Sequence, residues 1–523
     1  MALTLDQFLQ NIGSLGCYQA KLLTMLGYIL VFNVAYPFLV VTFLIIEPPW
    51  KCATNSTKCT LTGEYKPGNE YYDFRCSIPR SEWYFSGERT SVITEFELVC
   101  DKSYLNLVSP SLFFFGTLVS DFCCGILSDK FGRKPIMIVF GTAGSLFALF
   151  AALSPAFWMY SICRFFVGFC YAATFIPMYT LCTEFVGVDR RHVSGTVIWM
   201  SWAFTVMMLS GIAYFFHDFR SVTLAGAVPG FLILVMWCFI PESIRYLLIN
   251  DKTERAYETL RHIAKTNKRE YPNELLDLSF MTKDQKKGNI RDLFRTRKML
   301  HITVVLFTVL LIATMVYLAV TISSPTLGGN MYLNVFLFGA IEIPANFLAM
   351  WLIRKYGRRN SIAGSLIVAG LGGFLVVLFT TYDPGNHIGY TVGRIGVSLI
   401  SKMAIVISYI TLVMFAAECY PSVIRSTGFA VTNAGVDTGG LISPFVVKLD
   451  RYHPLLPYGV IGGSSLLAGI LCLTLKETGN KPTRETLNDD ITMELVSKDQ
   501  KTEGYEDDGP LDKKQVISNH STA

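Results

Sequence analysis

The chain has 523 residues, of which 51% are hydrophobic and only 16% charged, and its mean hydropathy is +0.41. Soluble globular chains average about 25% charged residues and carry polar linkers between domains, so this composition excludes a soluble multidomain protein. The net charge of +5 arises from basic loops between apolar runs, and it does not indicate a nucleic-acid partner.

Apolar runs of membrane-spanning length recur along most of the chain. A helix needs roughly 20 mostly apolar residues to cross the hydrocarbon core of a bilayer. The predicted fold class is therefore an all-α polytopic membrane protein, with twelve transmembrane helices in two pseudo-symmetric six-helix halves. The twelve predicted spans are 22–46, 105–127, 135–154, 157–181, 193–216, 222–240, 300–322, 331–353, 361–382, 388–415, 425–448 and 455–475.

Polar stretches divide these spans into domains. A long loop at 47–104 belongs to the N-terminal half, and a basic linker separates the two halves. The C-terminal tail has 11 acidic against 6 basic residues and few aromatics, which predicts disorder. In chain order, the predicted N-terminal segment, N-terminal half, linker, C-terminal half and tail are 1–21, 22–240, 241–299, 300–476 and 477–523.

Basic residues concentrate in alternate loops. If the twelve spans alternate in direction, the most basic loops and both termini fall on one side of the membrane. Cytoplasmic loops are enriched in Lys and Arg, so we predict a multi-pass plasma-membrane protein with both termini in the cytoplasm. The loop residues that fix this orientation are Lys130, Arg133, Lys134, Arg190, Arg191, Arg354, Lys355, Arg358 and Arg359.

The 47–104 loop lies on the opposite, extracellular side in this topology. An even number of cysteines in such a loop predicts two disulfides, and three pairings are open. The sequon Asn55-Ser56-Thr57 predicts an N-linked glycan at Asn55. The alternative is a chance sequon and free thiols. The four cysteines are Cys52, Cys59, Cys76 and Cys100.

Two motifs recur with an offset of six spans. Glu184 precedes Arg191 by seven residues after span 4, and Glu418 precedes Arg425 by the same spacing after span 10. The second motif is Asp129-Lys130-Phe131-Gly132-Arg133-Lys134 after span 2 and Arg354-Lys355-Tyr356-Gly357-Arg358-Arg359 after span 8. An even offset indicates parallel halves related by an axis along the membrane normal.

These motifs resemble those of a known transporter family. The segment from Gly125 to Lys134 resembles the major facilitator superfamily signature between spans 2 and 3, and Arg164 with Gly168 resembles a second signature in span 4. The 47–104 loop and Pro241-Glu242-Ser243 resemble the organic cation/anion/zwitterion transporter family (solute carrier 22-like). The resemblance covers roughly residues 5–480. It implies a carrier that works by alternating access.

The resemblance also implies a gate made of charged residues at the cytoplasmic helix ends. Asp129 would pair with a helix end or an arginine when the inner side is shut, and Arg133 would reach a carboxylate such as Glu184. The alternative is that these residues only anchor helix ends at the lipid headgroups. The candidate gating residues are Asp129, Gly132, Arg133, Arg164, Glu184, Arg191, Glu418 and Arg425.

Ionisable residues inside the predicted spans are candidates for a functional site, because lipid offers them no partner. Asp437 resembles the span-11 Asp of the organic cation branch, and Glu342 resembles the same branch in span 8. The anion and carnitine branches tend to carry Arg at the Asp437 position. For both acids the alternative is a hydrogen bond between helices. The basic residues inside spans are Arg164, Arg394 and Lys402.

Aromatic side chains complete the candidate substrate site. Each ring face attracts a cation by about 0.5–2 kcal/mol. The resemblance assigns Tyr317, Phe175 and Phe204 to the site, and Trp202 and Tyr36 are placed by position alone; for each ring the alternative is helix packing. The candidate substrate-binding residues are Asp437, Glu342, Tyr317, Phe175, Phe204, Trp202 and Tyr36.

Asp121 in span 2 departs from the family pattern, which has a small residue at this place. An additional acid there has three interpretations that the sequence leaves open. It meets the cavity, it pairs with Arg164 or Lys402, or it binds a proton. Asp121 is therefore a candidate proton site.

The sequence predicts polyspecific transport of small organic cations by alternating access, driven by the membrane potential. A first alternative is a carrier of carnitine-like or carcinine-like zwitterions, which needs a cation near Asp437, with Lys402 and Arg394 as candidates. A second is a receptor-like protein that does not transport. The expected partners are organic cations and the lipid bilayer. No Walker loop, zincin motif or nucleophile elbow occurs, so no enzyme, catalytic residue, metal or cofactor is predicted.

We expect glycosidase treatment to increase the gel mobility of the protein made in animal cells, and Asn55→Gln to abolish that change. Asn69→Gln, in the same loop but outside any sequon, is the control and should retain the change. An unglycosylated protein at the cell surface would contradict the predicted extracellular position of Asn55.

Overall fold

The computed structural model describes residues 3–54, 56, 58–59, 61–67, 69, 71–87, 89–272, 291–382, 387–421 and 424–478. Eleven helical segments in these ranges are long and apolar enough to cross a membrane. A twelfth helix, Arg425–Val447, has 23 residues and is also long enough, although Asn433, Asp437 and several glycines make it more polar. The predicted all-α, twelve-span architecture is confirmed.

The twelve spans follow the predicted order. Span 1 is a stack of the helices Cys17–Ile29, Leu30–Ala35, Tyr36–Leu39 and Val41–Leu44, of which the second is a π-helix. Spans 2 to 6 are Leu105–Phe131, Arg133–Ala152, Phe157–Glu184, Arg191–Phe215, and Phe219–Gly230 with Ile233–Met236. Spans 7 to 12 are Arg297–Ser323, Met331–Ala340 with Glu342–Tyr356, Arg358–Thr381, Ile388–Cys419, Arg425–Val447 and Leu456–Leu473.

Glycines let several of these helices pack backbone to backbone. A Cβ atom on Gly168 of span 4 would lie 2.0 Å from the carbonyl oxygen of Phe113 in span 2. A Cβ on Gly439 of span 11 would lie 2.2 Å from the carbonyl oxygen of Leu311 in span 7. Small residues commonly permit such approaches between membrane helices. Spans 2 and 11 are thereby held in place, and both carry acids of the candidate site.

Residues 47–104 form a small disulfide-linked unit. Strand β1 (Trp50–Cys52) pairs antiparallel with β2 (Trp83–Phe85), and a core forms around Trp50, Tyr72 and Trp83. The disulfides are Cys52–Cys59 and Cys76–Cys100, which selects one of the three pairings left open by the sequence. Short helices at Tyr72–Cys76, Arg80–Glu82, Val92–Glu95 and Cys100–Lys102 complete the unit. Asn55 lies outside the described residues.

Further short helices lie outside the twelve spans given above. They are Leu5–Asn11, Val188–Arg190, Ile244–Ile249, Thr253–Thr266, Asp292–Arg295, Ser324–Thr326 and Lys448–Arg451. Asn267 accepts a hydrogen bond from the Tyr18 amide and donates to the Ile12 carbonyl, so the first part of the predicted linker docks against the chain's N-terminal segment.

The bundle of twelve spans has two ends, a basic end and a disulfide end. The basic end is where spans 2, 4, 8 and 10 finish, at Phe131, Glu184, Tyr356 and Cys419. The disulfide end is the opposite one, which carries residues 47–104.

Candidate functional site

Asp437 lies between the two halves, half-way along span 11. Its Oδ1 accepts a hydrogen bond of 2.7 Å from the Thr117 hydroxyl of span 2. Its Oδ2 is buried and has no hydrogen-bond donor among the described residues. The side chain is only 7% exposed. A buried carboxylate oxygen without a donor is costly, so this position is suited to receive a positively charged or donating group.

Asp121 meets Asp437 across the same interface. Thr117, which donates to Asp437, lies one helical turn before Asp121, so the two carboxyl groups are neighbours across the interface. Asn433, one helical turn before Asp437, donates 2.9 Å to Oδ2 of Asp121. Of the three interpretations of Asp121, pairing with Arg164 or Lys402 does not occur among the described ion pairs. Asp121 instead contacts the acid that the sequence predicted for the substrate.

A buried ion pair lies deeper in the C-terminal half. Lys402 of span 10 has no exposed surface, and its Nζ lies 3.0 Å from Oε1 of Glu342 in span 8. The same ammonium donates 2.6 Å to the Thr321 hydroxyl and lies 3.4 Å above the ring of Tyr317. Glu342 also accepts 2.8 Å from the Tyr317 hydroxyl. Both charges are thus compensated inside one half.

Aromatic rings connect the ion pair with the acid pair. The indole of Trp202 in span 5 donates 2.8 Å to the Tyr317 hydroxyl, which joins the two halves. Tyr317 stacks on Tyr409 with a centroid separation of 6.3 Å. Phe175 stacks on Tyr171 at 6.2 Å, within the same group of rings in the N-terminal half. Trp202, Tyr317 and Phe175 therefore lie together near the centre.

Phe204 and Tyr36 are placed differently from the other candidates. Phe204 is 53% exposed, and none of the aromatic contacts of the described residues includes it. Tyr36 is buried inside the N-terminal half, where its hydroxyl donates 2.5 Å to the Val222 carbonyl. Because neither residue faces the acid pair in this conformation, their assignment to the substrate site stays a prediction.

A small cavity lies within the N-terminal half beside Tyr36. Arg164 lines it, donates 2.9 Å to the Pro37 carbonyl, and stacks over the Phe113 ring at 4.7 Å. This arginine lies far from the basic end, so its contacts here are those of helix packing rather than of a gate at the helix ends.

The basic end of the N-terminal half is held by a network around the span 2–3 turn. Gly132 has φ +103°, and a Cβ there would lie 2.4 Å from Oε2 of Glu242. Glu242 accepts hydrogen bonds from the backbone amides of Arg133 and Lys134, at the N-terminus of span 3. The Arg133 guanidinium lies 3.1 Å from Glu184. The network therefore ties spans 2, 3 and 4 to the segment after span 6.

The C-terminal half repeats this network residue by residue. Gly357 has φ +84°, and Glu477 accepts hydrogen bonds from the amides of Arg358 and Arg359. The Arg358 guanidinium lies 3.2 Å from Glu418. The hydroxyls of Ser243 and Thr478 complete the two copies by donating 2.5 Å to Glu184 and 2.6 Å to Glu418.

Glu477 and Thr478 were missed by the sequence analysis, which placed them in the disordered tail. The structure corrects that boundary, because both residues bind the start of span 9 and the end of span 10. The signal was present: the six-span offset, applied to Glu242-Ser243 after span 6, leads to Glu477-Thr478 after span 12. Residues 479–523 lie outside the described residues.

Three gating candidates remain, namely Arg191, Asp129 and Arg425. Arg191 lies 2.7 Å from Asp6 of the N-terminal helix, while Glu184 is bound to Arg133. Asp129 is exposed and makes no ion pair or side-chain hydrogen bond with the described residues. Arg425 begins span 11, and its side chain lies outside the described part of the structure.

At the disulfide end the charged contacts cross between the halves. Lys448 after span 11 pairs with Glu47 after span 1, and Arg75 lies 3.8 Å from the same carboxylate. Burial raises the pKa of Glu47, but Lys448 and Arg75 outweigh it and hold the pKa below its ordinary value. Arg451 donates to the Ser103 hydroxyl. In this conformation, charged and hydrogen-bonded contacts therefore hold the two halves together at the disulfide end.

Comparisons with known proteins agree with this architecture. The family model described as Major Facilitator Superfamily matches residues 101–444, which is more than half of the chain. The chain belongs to the major facilitator superfamily. It is therefore a multi-pass membrane transporter and not an enzyme.

Relatives place this transporter in the solute carrier 22 family. The organic cation transporter protein of Drosophila melanogaster is 31% identical over 522 residues, covering 92% of this chain and 94% of the relative. Solute carrier family 22 member 15 of Xenopus tropicalis is 30% identical, covering 92% of this chain and 90% of the relative. The xylose transporter XylE from E. coli, partially occluded and inward-open, has a TM-score of 0.60 at 14% identity, covering 89% of this chain and 99% of that chain. That likeness shows the fold alone.

The repeated network predicts matched stability effects in this transporter. We expect Glu477→Gln and Glu242→Gln each to lower the free energy of unfolding by about 1–3 kcal/mol, because a neutral amide oxygen replaces a charged acceptor of two backbone amides. The apparent melting temperature of the detergent-solubilised protein measures this. Glu258→Gln, at an exposed position on the helix Thr253–Thr266, is the control. Melting temperatures equal to that of the control would contradict a structural role for both carboxylates.

Proposed function

We propose that this protein carries small organic cations across the plasma membrane by alternating access, with both termini in the cytoplasm. The observation that carries the proposal is the buried Asp437 carboxyl between the two halves, whose Oδ2 lacks a donor among the described residues. A cation in a low-dielectric site needs a counter-charge, and Asp437 supplies one at the interface that alternating access exposes to each side in turn. The names of the relatives agree with this substrate class.

Aromatic rings next to Asp437 suit a carrier of many cations. Tyr409 and Tyr171 lie close enough to the acid pair to interact with it electrostatically, and Tyr317 and Trp202 continue the aromatic wall. Ring faces attract cations without demanding a fixed hydrogen-bond geometry. We infer polyspecificity from this combination of one strong charge and several adaptable surfaces.

The zwitterion alternative depends on Lys402. This ammonium is compensated by Glu342 and covered by the Tyr317 ring, so its charge is already balanced within the C-terminal half. A substrate carboxylate would have to displace Glu342 to reach it. The arrangement therefore favours cations over zwitterions. A receptor-like protein that does not transport is the remaining alternative, and uptake measurements separate it from both carriers.

A gating role for Asp129, Glu184 and Glu418 fits the same cycle. The ion pairs Arg133–Glu184 and Arg358–Glu418 each join residues of one half, while Asp129 is exposed. We infer that in this conformation charged contacts hold the two halves together at the disulfide end but not at the basic end. In the opposite conformation Asp129 would bind the other half. A bias of about 1.4 kcal/mol between the two conformations changes their ratio tenfold.

We expect Asp437→Asn to reduce uptake of labelled tetraethylammonium by at least tenfold in cells that express the protein, because the counter-charge is lost while the shape is kept. Asp437→Arg should abolish uptake. Surface biotinylation controls for expression, and Asp251→Asn, an exposed acid between two helices outside the membrane, is the matched control. Undiminished uptake by Asp437→Asn would contradict the assignment of Asp437.

The membrane potential is the proposed driving force. Moving one charge across the membrane is worth about 2.3 kcal/mol per 100 mV, and a tenfold gradient costs about 1.4 kcal/mol, so roughly 60 mV sustains such a gradient without a coupled ion. We expect depolarisation with external potassium to lower uptake of a monovalent cation, and replacement of sodium to leave it unchanged. Strict sodium dependence, or uptake indifferent to voltage, would contradict this driving force.

A further inference from the structure

The contact between Asp121 and Asp437 places two carboxyl groups side by side at the interface of the halves. Asp121 belongs to span 2 of the N-terminal half, and Asp437 belongs to span 11 of the C-terminal half. Each receives one identified donor from the opposite half, since Asn433 donates to Asp121 and Thr117 donates to Asp437. Oδ2 of Asp437 remains buried without a donor among the described residues.

No cation compensates this pair within the described structure. The basic residues inside the neighbouring spans are engaged elsewhere: Lys402 with Glu342, Arg394 with the Thr391 hydroxyl, and Arg164 with the Pro37 carbonyl. The other titratable groups that face the pair are the phenols of Tyr171 in span 4 and Tyr409 in span 10, and the thiol of Cys124 in span 2. None of these groups carries positive charge, so none neutralises a carboxylate.

Two adjacent carboxylates in a low-dielectric site do not both stay ionised without a positive partner. A carboxyl oxygen donates to another carboxyl only when it carries a proton. One shared proton therefore satisfies the contact between Asp121 and Asp437 and leaves the pair with a single negative charge. Neutralising that pair takes one positive charge while the proton stays, and two positive charges once the proton has left.

We propose that Asp121 and Asp437 form one acidic subsite that holds a single proton when empty and binds an organic cation with two positive groups by releasing that proton. The inference rests on the proposed function and deepens it by adding a substrate class, organic dications. Asp121 determines this specificity. A monovalent cation binds with the proton retained, so its binding is independent of pH, whereas each dication releases one proton to the solution.

The test uses two probes with fixed charges, butyltrimethylammonium and 1,4-bis(trimethylammonio)butane. Because neither probe titrates, any pH dependence belongs to the protein. Binding of each labelled probe to the purified, detergent-solubilised full-length protein is measured from pH 5.5 to 8.5. We expect the affinity for the divalent probe to rise about tenfold per pH unit where the pair holds its proton, since one proton is released per probe. The affinity for the monovalent probe should not change.

Two variants and a direct proton measurement complete the experiment. Asp121→Asn should remove the pH dependence of divalent-probe binding and reduce the divalent-probe affinity at least tenfold, which is more than any change in the monovalent-probe affinity. Asp121→Ser gives a second version if the amide variant misfolds, and Asp251→Asn is the control for loss of an acid. In weakly buffered solution a pH-sensitive dye should report one proton released per divalent probe bound and none per monovalent probe.

The outcomes separate this inference from the proposed function. Monovalent binding together with pH-independent divalent binding, or with no proton release, would overturn the acidic subsite and leave the organic cation carrier standing. Absence of binding and of cellular uptake for both probes would overturn the proposed function and the subsite with it. Retention of the pH dependence in both Asp121 variants would assign the proton to another group and overturn the inference.

Discussion

The structure depends on one electrostatic constraint: a charge inside the bilayer must find a partner within the protein or in a ligand, because the lipid provides none. Lys402 satisfies it with Glu342 and the face of Tyr317, and Arg164 with a backbone carbonyl and the face of Phe113. Asp437 does not satisfy it with any basic residue of the described structure. The unsatisfied carboxylate lies between the halves, where we propose that a substrate binds.

The same constraint acts differently at the two ends of the bundle, where water is near. At the basic end the network of each half lies within that half. Glu242 and Glu477 accept hydrogen bonds from backbone amides at the starts of helices. Arg133 and Arg358 form ion pairs with glutamates at the ends of helices. These networks make each half a rigid unit. At the disulfide end the contacts cross between the units. We therefore expect motion to be concentrated at the interface rather than within either half.

Sequence reasoning predicted the fold well, because apolar length and basic loops are local signals. The twelve spans, the two disulfides and the six-span repeat follow from such signals. The contacts of Asp121 with Asp437 and of Lys402 with Glu342 join residues far apart in the chain, and their geometry depends on which face each helix turns inward. A pattern in one span does not contain that information. Arg191 shows the same limit, since its partner Asp6 lies far away in the chain, in the N-terminal helix.

The loop of residues 47–104 is fastened near both of its edges to the segment after span 11, by Glu47 with Lys448 and by Ser103 with Arg451. Any separation of the halves at that end must break these contacts or drag the loop along. Because its two disulfides make the loop stiff, we expect the loop to slow the separation of the two halves at that end. With the loop on the extracellular side, as proposed, we expect an antibody or a reducing agent that acts on the loop to alter turnover without contacting the proposed substrate site.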